Sequence, residues 1–410
     1  MRIAMVSEHA SPLAVLGGED AGGQNVHVDA LARGLAARGH EVVVHTRRDN
    51  PDLPEFVELT PGVMVHHVDA GPARPVPKDE FGPFLPAFAR VLTKQWQRNR
   101  PDIVHAHFWM SGVVSLEGAQ LLDIPTAITF HALGVVKKRH QADADTSPDT
   151  RIPAERQLLK RMSRVIATCT DEVRELVQLG GDASRIDIVP CGVDSTAFRP
   201  ALAGDSDVVP TERQERYRVL SLSRLVPRKG VGEVVQMLTH LPDVELTIAG
   251  GPNPEALDSD KEVRRLRELA DEHGVADRIT FVGAVDRDRI PQLLAEMDLA
   301  VVLPWYEPFG IVPLEIMACG KPLVGSAVGG LLDTVTDGET GLLVPPKHPQ
   351  RAAAAVRMLL DDPGLRKLMG QAARRKIEQR YDWRKVSEAT EAVYKDMLSE
   401  HKPLTARTTA

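Results

Sequence analysis

Two glutamates, Glu307 and Glu315, bracket the run Pro308-Phe309-Gly310-Ile311-Val312-Pro313-Leu314. An apolar stretch at residues 299–303 precedes the run, and another at 313–319 follows it. A strand followed by a helix would leave the N–H groups of Phe309, Gly310 and Ile311 at the positive end of that helix, a favourable place for a phosphate. Glu315 falls in the first helical turn and Glu307 on the loop before it, so the two carboxylates can hold hydroxyls on either side of an anion. The same positions also suit an ordinary loop charge and a helix acid favoured by the dipole.

A second group stands in Ser223-Arg224-Leu225-Val226-Pro227-Arg228-Lys229-Gly230, directly after a strand-like run at 218–221. Arg224 and Lys229 can reach over the carboxyl end of that strand and offset the charge growing on a departing diphosphate. A solvated basic loop has the same composition. The third group is a glycine loop containing Gly17, Gly18, Gly22, Gly23 and Asn25. Its spacing is not the G-x-G-x-x-G dinucleotide fingerprint, and the chain contains no G-x-x-x-x-G-K-[ST], so neither dehydrogenase nor P-loop chemistry is indicated. A Gly22-Gly23 pair opening a helix still lets backbone approach an anion or a sugar. His131 follows a strand at 126–129, while His105 and His107 end the strand before it; a satisfied structural role is expected for His105. Acidic pairs such as Asp143/Asp145, Asp205/Asp207, Asp258/Asp260 and Asp286/Asp288 fall mostly in polar loops without the strand-end setting of a catalytic metal site. No metal ligand is therefore assigned.

The elements that must position these groups alternate along the chain. Short Val/Ile-rich runs at 3–6, 42–45, 63–68, 103–107, 126–129, 165–168 and 186–189 are separated by helical periodicities, such as that of 26–38. Apolar on both faces and joined by helices, such runs predict parallel strands in a doubly wound α/β sheet. The pattern pauses over the polar stretch 196–216, a linker by composition. It resumes at 218–221, 245–249, 279–282, 299–303, 322–325 and 341–344. Terminal helices are expected at 364–380 and 383–398, broken near Tyr381-Asp382. The acidic insertion 139–150 is expected to be a mobile loop.

Composition narrows the function. The chain has 410 residues, 50 Lys+Arg against 57 Asp+Glu, a net charge of −7 and only 4% aromatics. This balance gives no footprint for nucleic acid as a polymer and predicts two domains. Three separated cysteines, Cys169, Cys191 and Cys319, do not make a disulfide framework or a zinc site. No signal peptide or membrane span is read from the sequence, and a cytoplasmic protein is expected. The basic segment 86–100 is weighed as a weak peripheral membrane contact, with a solvated helix the expected reading.

Taken in order, the E-P-F-G-x-x-x-x-E spacing of Glu307 and Glu315, Arg224 with Lys229, and the glycine loop resemble the retaining GT-B glycosyltransferases of family 4. The resemblance covers essentially the whole chain. Within that family, Asp20-Ala-Gly-Gly-Gln-Asn25 and His105-Ala-His-Phe-Trp-Met-Ser-Gly112, together with Asp145/Thr146 ahead of Arg151, are most similar to the inositol-phosphate N-acetylglucosaminyltransferases of mycothiol synthesis. Sucrose-phosphate synthases come next.

The resemblance implies two Rossmann-like lobes facing a central cleft: residues 1–200 for the acceptor and 201–380 for the nucleotide-sugar donor. A helix at 381–398 would return to the first lobe, leaving a tail at 399–410. It implies that Glu315 binds ribose hydroxyls, Glu307 the donor sugar's 3- and 4-hydroxyls, and Arg224 and Lys229 the diphosphate. Backbone from Phe309 through Gly310 and Ile311 to Val312 would add donors. Gly22 and Gly23 would approach the phosphates, His131 would hold the sugar's 6-hydroxyl, and Asn25 would shape the pocket. Lys78 and Arg151 match the acceptor-phosphate set of the mycothiol enzymes. Phe108 replaces that set's Tyr and Ala132 its Thr, which leaves a cationic half-site.

The expected reaction moves a hexosyl group from a nucleotide-diphosphate sugar to a small hydroxyl acceptor by same-face substitution, without a metal or other cofactor. A UDP-sugar is favoured, with GDP-mannose or ADP-glucose as alternatives. A GT-B-fold epimerase and a non-catalytic nucleotide-sugar-binding protein are the competing readings. Partners are confined to small molecules, and the oligomer is a monomer or a homodimer.

Overall fold

The computed structural model describes residues 1–14, 22–141, 145–201 and 216–401. Gly17, Gly18, Asp20, Asp143, Asp205, Asp207, most of the polar linker and nearly all of the tail lie outside the described residues. The chain forms two compact units, one of Met1–Cys191 with Trp383–Ala410, the other of Gly192–Asp382.

The first unit carries β1 (Arg2–Val6), β2 (Glu41–Arg47), β3 (Phe56–Thr60), β4 (Val63–Val68), β5 (Ile103–His107), β6 (Thr126–Thr129), β7 (Arg164–Ala167) and β8 (Ile186–Ile188). They are arranged β3-β4-β2-β1-β5-β6-β7-β8. Every pairing is parallel except β3 with β4. Alternation along β1 shows why both faces must be covered: Ile3 and Met5 enter one buried cluster, Ala4 and Val6 another. Edge strand β3 was not anticipated. It is only half-buried and so lacks the continuous apolar run that marks a central strand.

The second unit carries β9 (Tyr217–Leu222), β10 (Val244–Ala249), β11 (Ile279–Gly283), β12 (Leu299–Val302), β13 (Leu323–Ser326) and β14 (Leu342–Val344). They lie in the order β11-β10-β9-β12-β13-β14, parallel throughout. Strands are first added on one side of β9 and then, from β12 onward, on the other. That reversal opens a crevice beyond the carboxyl ends of β9 and β12.

Residues 363–376 form a helix, followed by a π-helical turn at Ile377–Tyr381 and the helix Trp383–Glu400. Backbone at the break is tied to the start of the second unit: Val193 N–H donates to the Tyr381 carbonyl at 2.8 Å, and Ser195 Oγ donates to Asp382. The unit boundary therefore falls at Cys191/Gly192, ahead of the expected 200, because residues 193–195 are already bonded into the second unit. Helix Trp383–Glu400 packs on Gly23–Ala37 in the first unit, where a Cβ on Gly34 would overlap the Ser387 hydroxyl.

Helix Leu85–Arg98 buries Phe88, Ala89, Leu92 and Trp96 in the first unit's core. In the described part of the insertion 139–150, Asp145 pairs with Lys137 at 2.9 Å and Thr146 donates to Asp79 at 2.6 Å. Among the described residues no helix is long and apolar enough to cross a membrane.

Candidate active site

In the second unit the loops leaving β9 and β12 meet at the crevice. The first ends in a 3₁₀ turn, Pro227–Lys229, stopped by Gly230 at φ 71°. A Cβ on Gly230 would collide with the carbonyl of Leu303, so glycine lets the two loops close together. Trp305 N–H donates to the Arg228 carbonyl at 2.9 Å and joins them. Across that junction Lys229 Nζ donates to Glu307 Oε2. Glu307 Oε1 accepts the N–H of Gly310 at 3.4 Å, and Gly330 N–H donates to the Glu307 carbonyl at 2.7 Å.

Gly310, at φ 74°, caps the helix Ile311–Ala318. Its first N–H groups lack intrahelical partners, and Pro313 has none to leave unsatisfied. Phe309, Ile311 and Val312 are half-buried around that start.

Electrostatics follow from this burial. Burial pushes the Glu307 carboxyl up, but the charge and hydrogen bond of Lys229, with help from Arg228 and the Gly310 N–H, hold it below the ordinary range. Burial lowers the Lys229 ammonium, against the pull of Glu307. Arg224 stands exposed nearby. Glu315 has a different environment: burial raises it to about 7, opposed by Arg287. Arg287 places Nε at 3.0 Å and Nη2 at 2.8 Å from the same oxygen, Oε1. That clamp was missed from the sequence, where Arg287 was only a residue between the acidic pair Asp286 and Asp288.

In the first unit Gly22 and Gly23 open the helix Gly23–Ala37. Asn25 was expected to shape a ligand pocket. Its buried side chain accepts the Gly22 N–H at 3.0 Å and donates to the Ser11 carbonyl at 3.0 Å, so it closes the helix start. His131 follows β6 with φ 61°, a conformation uncommon outside glycine. Its Nε2 bonds to His107 Nδ1 at 2.9 Å. His105 bonds Tyr394 at 2.7 Å and Thr129 at 3.0 Å, the satisfied structural role expected of it. Burial lowers His27 to about 4 and His105 to about 3, and takes His107 and His131 well below the ordinary value. The cluster is thus neutral.

Lys78 and Arg151 are brought toward one region. The turn Lys78–Glu80 is tied to residue 146 through Asp79, and Ser147 accepts from Arg151 Nη1 at 3.1 Å. Arg151 is largely engaged already: Nε donates to Glu155 at 2.8 Å and Nη2 to the Ala132 carbonyl at 2.7 Å. Its guanidinium lies 4.9 Å from the Phe108 ring centre. One constellation beside it escaped the sequence reading. Buried Glu8, just past β1, bonds both His9 and Ser111; residues 8 and 9 lay in a stretch read only for a leader.

Two doubly wound parallel-sheet lobes, with a terminal helix returned to the first, place the chain in the GT-B class of glycosyltransferases. Residues 21–197 match the family model for Glycosyltransferase Family 4 and residues 205–376 that for Glycosyl transferases group 1. The chain is 37% identical to a D-inositol 3-phosphate glycosyltransferase of Acidothermus cellulolyticus, over 98% of this chain and 91% of that one. It is 34% identical to the protein of that name from Mycobacterium marinum, over 97% and 86%. Sucrose-phosphate synthase from Thermosynechococcus elongatus superposes with a TM-score of 0.85 at 31% identity, covering 97% of this chain and 99% of that one. HepE of Anabaena, solved with UDP, shares the fold at a TM-score of 0.74 and 20% identity, over 97% and 100%. The chain belongs to the family 4, group 1 glycosyltransferases, and it is a glycosyltransferase.

Proposed function

We propose that this enzyme moves a hexosyl group, with retention, from a nucleotide-diphosphate sugar to a hydroxyl of a small phosphorylated acceptor. The observation that carries the donor half is the buried, hydrogen-bonded Lys229–Glu307 pair at the β9/β12 crevice, beside the capped start of helix Ile311–Ala318. The cation and the helix start suit a diphosphate, and the carboxylate suits sugar hydroxyls. Arg224 adds charge at the mouth of the loop. Glu315, held by Arg287 through Oε1, takes ribose hydroxyls. His131, neutral and fixed by His107, takes a sugar hydroxyl. Lys78 and Arg151 hold the acceptor phosphate, a reading supported by the D-inositol 3-phosphate glycosyltransferases among the relatives.

In the reaction the bond from the anomeric carbon to the diphosphate oxygen breaks. The acceptor hydroxyl bonds to that carbon on the same face, and its proton passes to the departing phosphate oxygen. Lys229, Arg224 and the helix N–H groups stabilise the leaving charge, so no step is assigned to a metal.

The test is a thermal-shift screen of UDP-, GDP- and ADP-sugars, followed by turnover with D-inositol 3-phosphate and with a hexose phosphate. UDP-sugars come first because HepE was solved with UDP and with UDP-glucose. The expected result is stabilisation by one nucleotide sugar and transfer that EDTA leaves unchanged. Loss of activity in EDTA, restored only by a divalent cation, would overturn the metal-free reading.

A further inference from the structure

Two residues before Glu307, Trp305 is tied through both backbone and side chain to the stretch that carries Lys229. Its backbone N–H donates to the Arg228 carbonyl at 2.9 Å. Its indole Nε1–H donates to Glu233 Oε1 at 2.8 Å, and Glu233 stands in the first turn of the helix Val231–Met237. Trp305 therefore grips the β9 loop on both sides of Lys229, with one bond to the residue before it and one to the helix after it. An indole donates one hydrogen bond and accepts none, and a carboxylate partner makes that bond a strong one.

A third loop closes on the same ring. Lys347, on the loop leaving β14, places Nζ 4.2 Å from the centre of the Trp305 ring, the geometry of a cation on an aromatic face. Its backbone stands at φ 62°, a left-handed conformation that strains any residue with a Cβ and suits glycine. Lys347 is exposed, so core packing does not demand a side chain there. Strain kept at an exposed position marks a side chain that contributes elsewhere, and here it covers the indole. Glu233 thus holds the edge of the Trp305 ring and Lys347 its face. The loops that leave β9, β12 and β14 meet on one side chain.

We propose that Trp305 is a positioning residue for the transfer reaction. With Glu233 and Lys347 it fixes the Lys229 loop against the Glu307 loop, and so sets where the cation lies as charge grows on the leaving diphosphate. In this role Trp305 acts through Lys229 and Glu307 rather than on either substrate. The inference rests on the donor-site reading and adds to it what holds the pair in place. A loosely held cation still attracts a bound diphosphate, whereas stabilising a transition state needs it at a fixed point. Loosening the indole therefore costs turnover rather than donor binding.

Steady-state kinetics on the full-length chain test it. UDP-glucose, UDP-N-acetylglucosamine, GDP-mannose and ADP-glucose are offered in turn as the varied donor, with D-inositol 3-phosphate or a hexose phosphate saturating. Trp305→Phe keeps a ring and removes the indole N–H; kcat is expected to fall about tenfold and the donor KM to stay within about threefold. Glu233→Ala should match it, and Glu233→Gln, which keeps an acceptor oxygen, should recover most of the rate. Trp305→Phe/Glu233→Ala should be no slower than either single variant, because all three remove the same bond. Lys347→Gly separates positioning from stability: glycine suits the backbone, so Tm should stay within about 2 °C of the wild type while kcat falls about threefold. Unchanged kcat in Trp305→Phe or in Lys347→Gly, or losses that multiply in the double variant, overturn the assignment. A kcat loss in Lys347→Gly that comes only with a matching fall in Tm does so too. If Lys229→Ala lowers kcat and Trp305→Phe does not, the donor-site reading survives and the Trp305 inference fails. If Lys229→Ala also leaves kcat unchanged, or the wild type acts on none of these donors, the reading fails and takes the inference with it.

Discussion

The two units share one strand order around the reversal, β4-β2-β1-β5-β6-β7 in the first and β11-β10-β9-β12-β13-β14 in the second, yet they furnish that reversal with opposite chemistry. In the second unit the loops bring buried charges together, Lys229 on Glu307 and Arg287 on Glu315. In the first unit the corresponding strand ends carry neutral imidazoles, His107 on His131 and His105 on Tyr394. The scaffold sets where a ligand can sit, and the loops set what kind of ligand it is. Fixed charge suits a diphosphate; neutral, oriented hydrogen-bonding groups suit hydroxyls.

Breaking the charged half should have the largest effect. Lys229→Ala removes the proposed leaving-group cation and strands a buried carboxylate, so kcat/KM is expected to fall by about 10²–10³-fold and stability by about 3 kcal/mol. A Lys229→Met/Glu307→Gln double variant separates the two effects: it should recover most of the stability, measured by urea unfolding, and none of the activity. Recovery of both would deny the pair any catalytic part.

Acid should move the two units in opposite directions. His27 and His105 have folded values of about 4 and about 3, below the ordinary 6.5. Their stabilisation is complete above 6.5 and is lost as the pH falls through the interval down to those values. At pH 5 the loss amounts to about 2 kcal/mol for each. Glu315 runs the other way: its folded value of about 7 lies above the ordinary 4.5. Its contribution is therefore complete below 4.5 and is lost as the pH rises to 7. Hydrogen exchange at pH 7.5 and pH 5, corrected for the intrinsic rate, should show protection falling around His27 and His105 and rising around Glu315. A parallel change in both regions would break the contrast.

A smaller, purely structural effect belongs to the first unit. Gly34→Ala puts a methyl group onto Ser387 and should cost about 1–3 kcal/mol, and adding Ser387→Ala should relieve much of it. The mildest change is Arg224→Ala. The side chain is exposed and solvent-screened, so kcat/KM should fall only about tenfold, with a loss that shrinks as salt is raised. A loss as deep as that of Lys229→Ala would mean that the exposed cation, not the buried pair, carries the leaving group.

Much of this arrangement was legible in the sequence. Strand and helix periods are local, so runs such as 63–68, 103–107 and 126–129 mark their own elements. The Gly310 cap between Glu307 and Glu315 marks a helix start with charge around it. The sequence also brought out Arg224 and Lys229 as cations after a strand, and the break at Tyr381-Asp382. Strand β3 stayed hidden because an edge strand needs only one half-buried face.

Partner choice is what the tertiary structure decided. Lys229 meets Glu307 across 78 residues of chain, Ser111 meets Glu8 across 103, and Arg287 meets Glu315 across 28. None of these pairings has a period, because each depends on strand order and on how closely a glycine such as Gly230 lets two loops approach. Asn25 illustrates the same limit: only the tertiary structure shows its amide bonded to the Gly22 N–H and the Ser11 carbonyl. Local propensity determined the elements and the candidate chemistry. The strand reversal in each sheet, which brings distant loops to one end, determined which side chains share a proton or a charge.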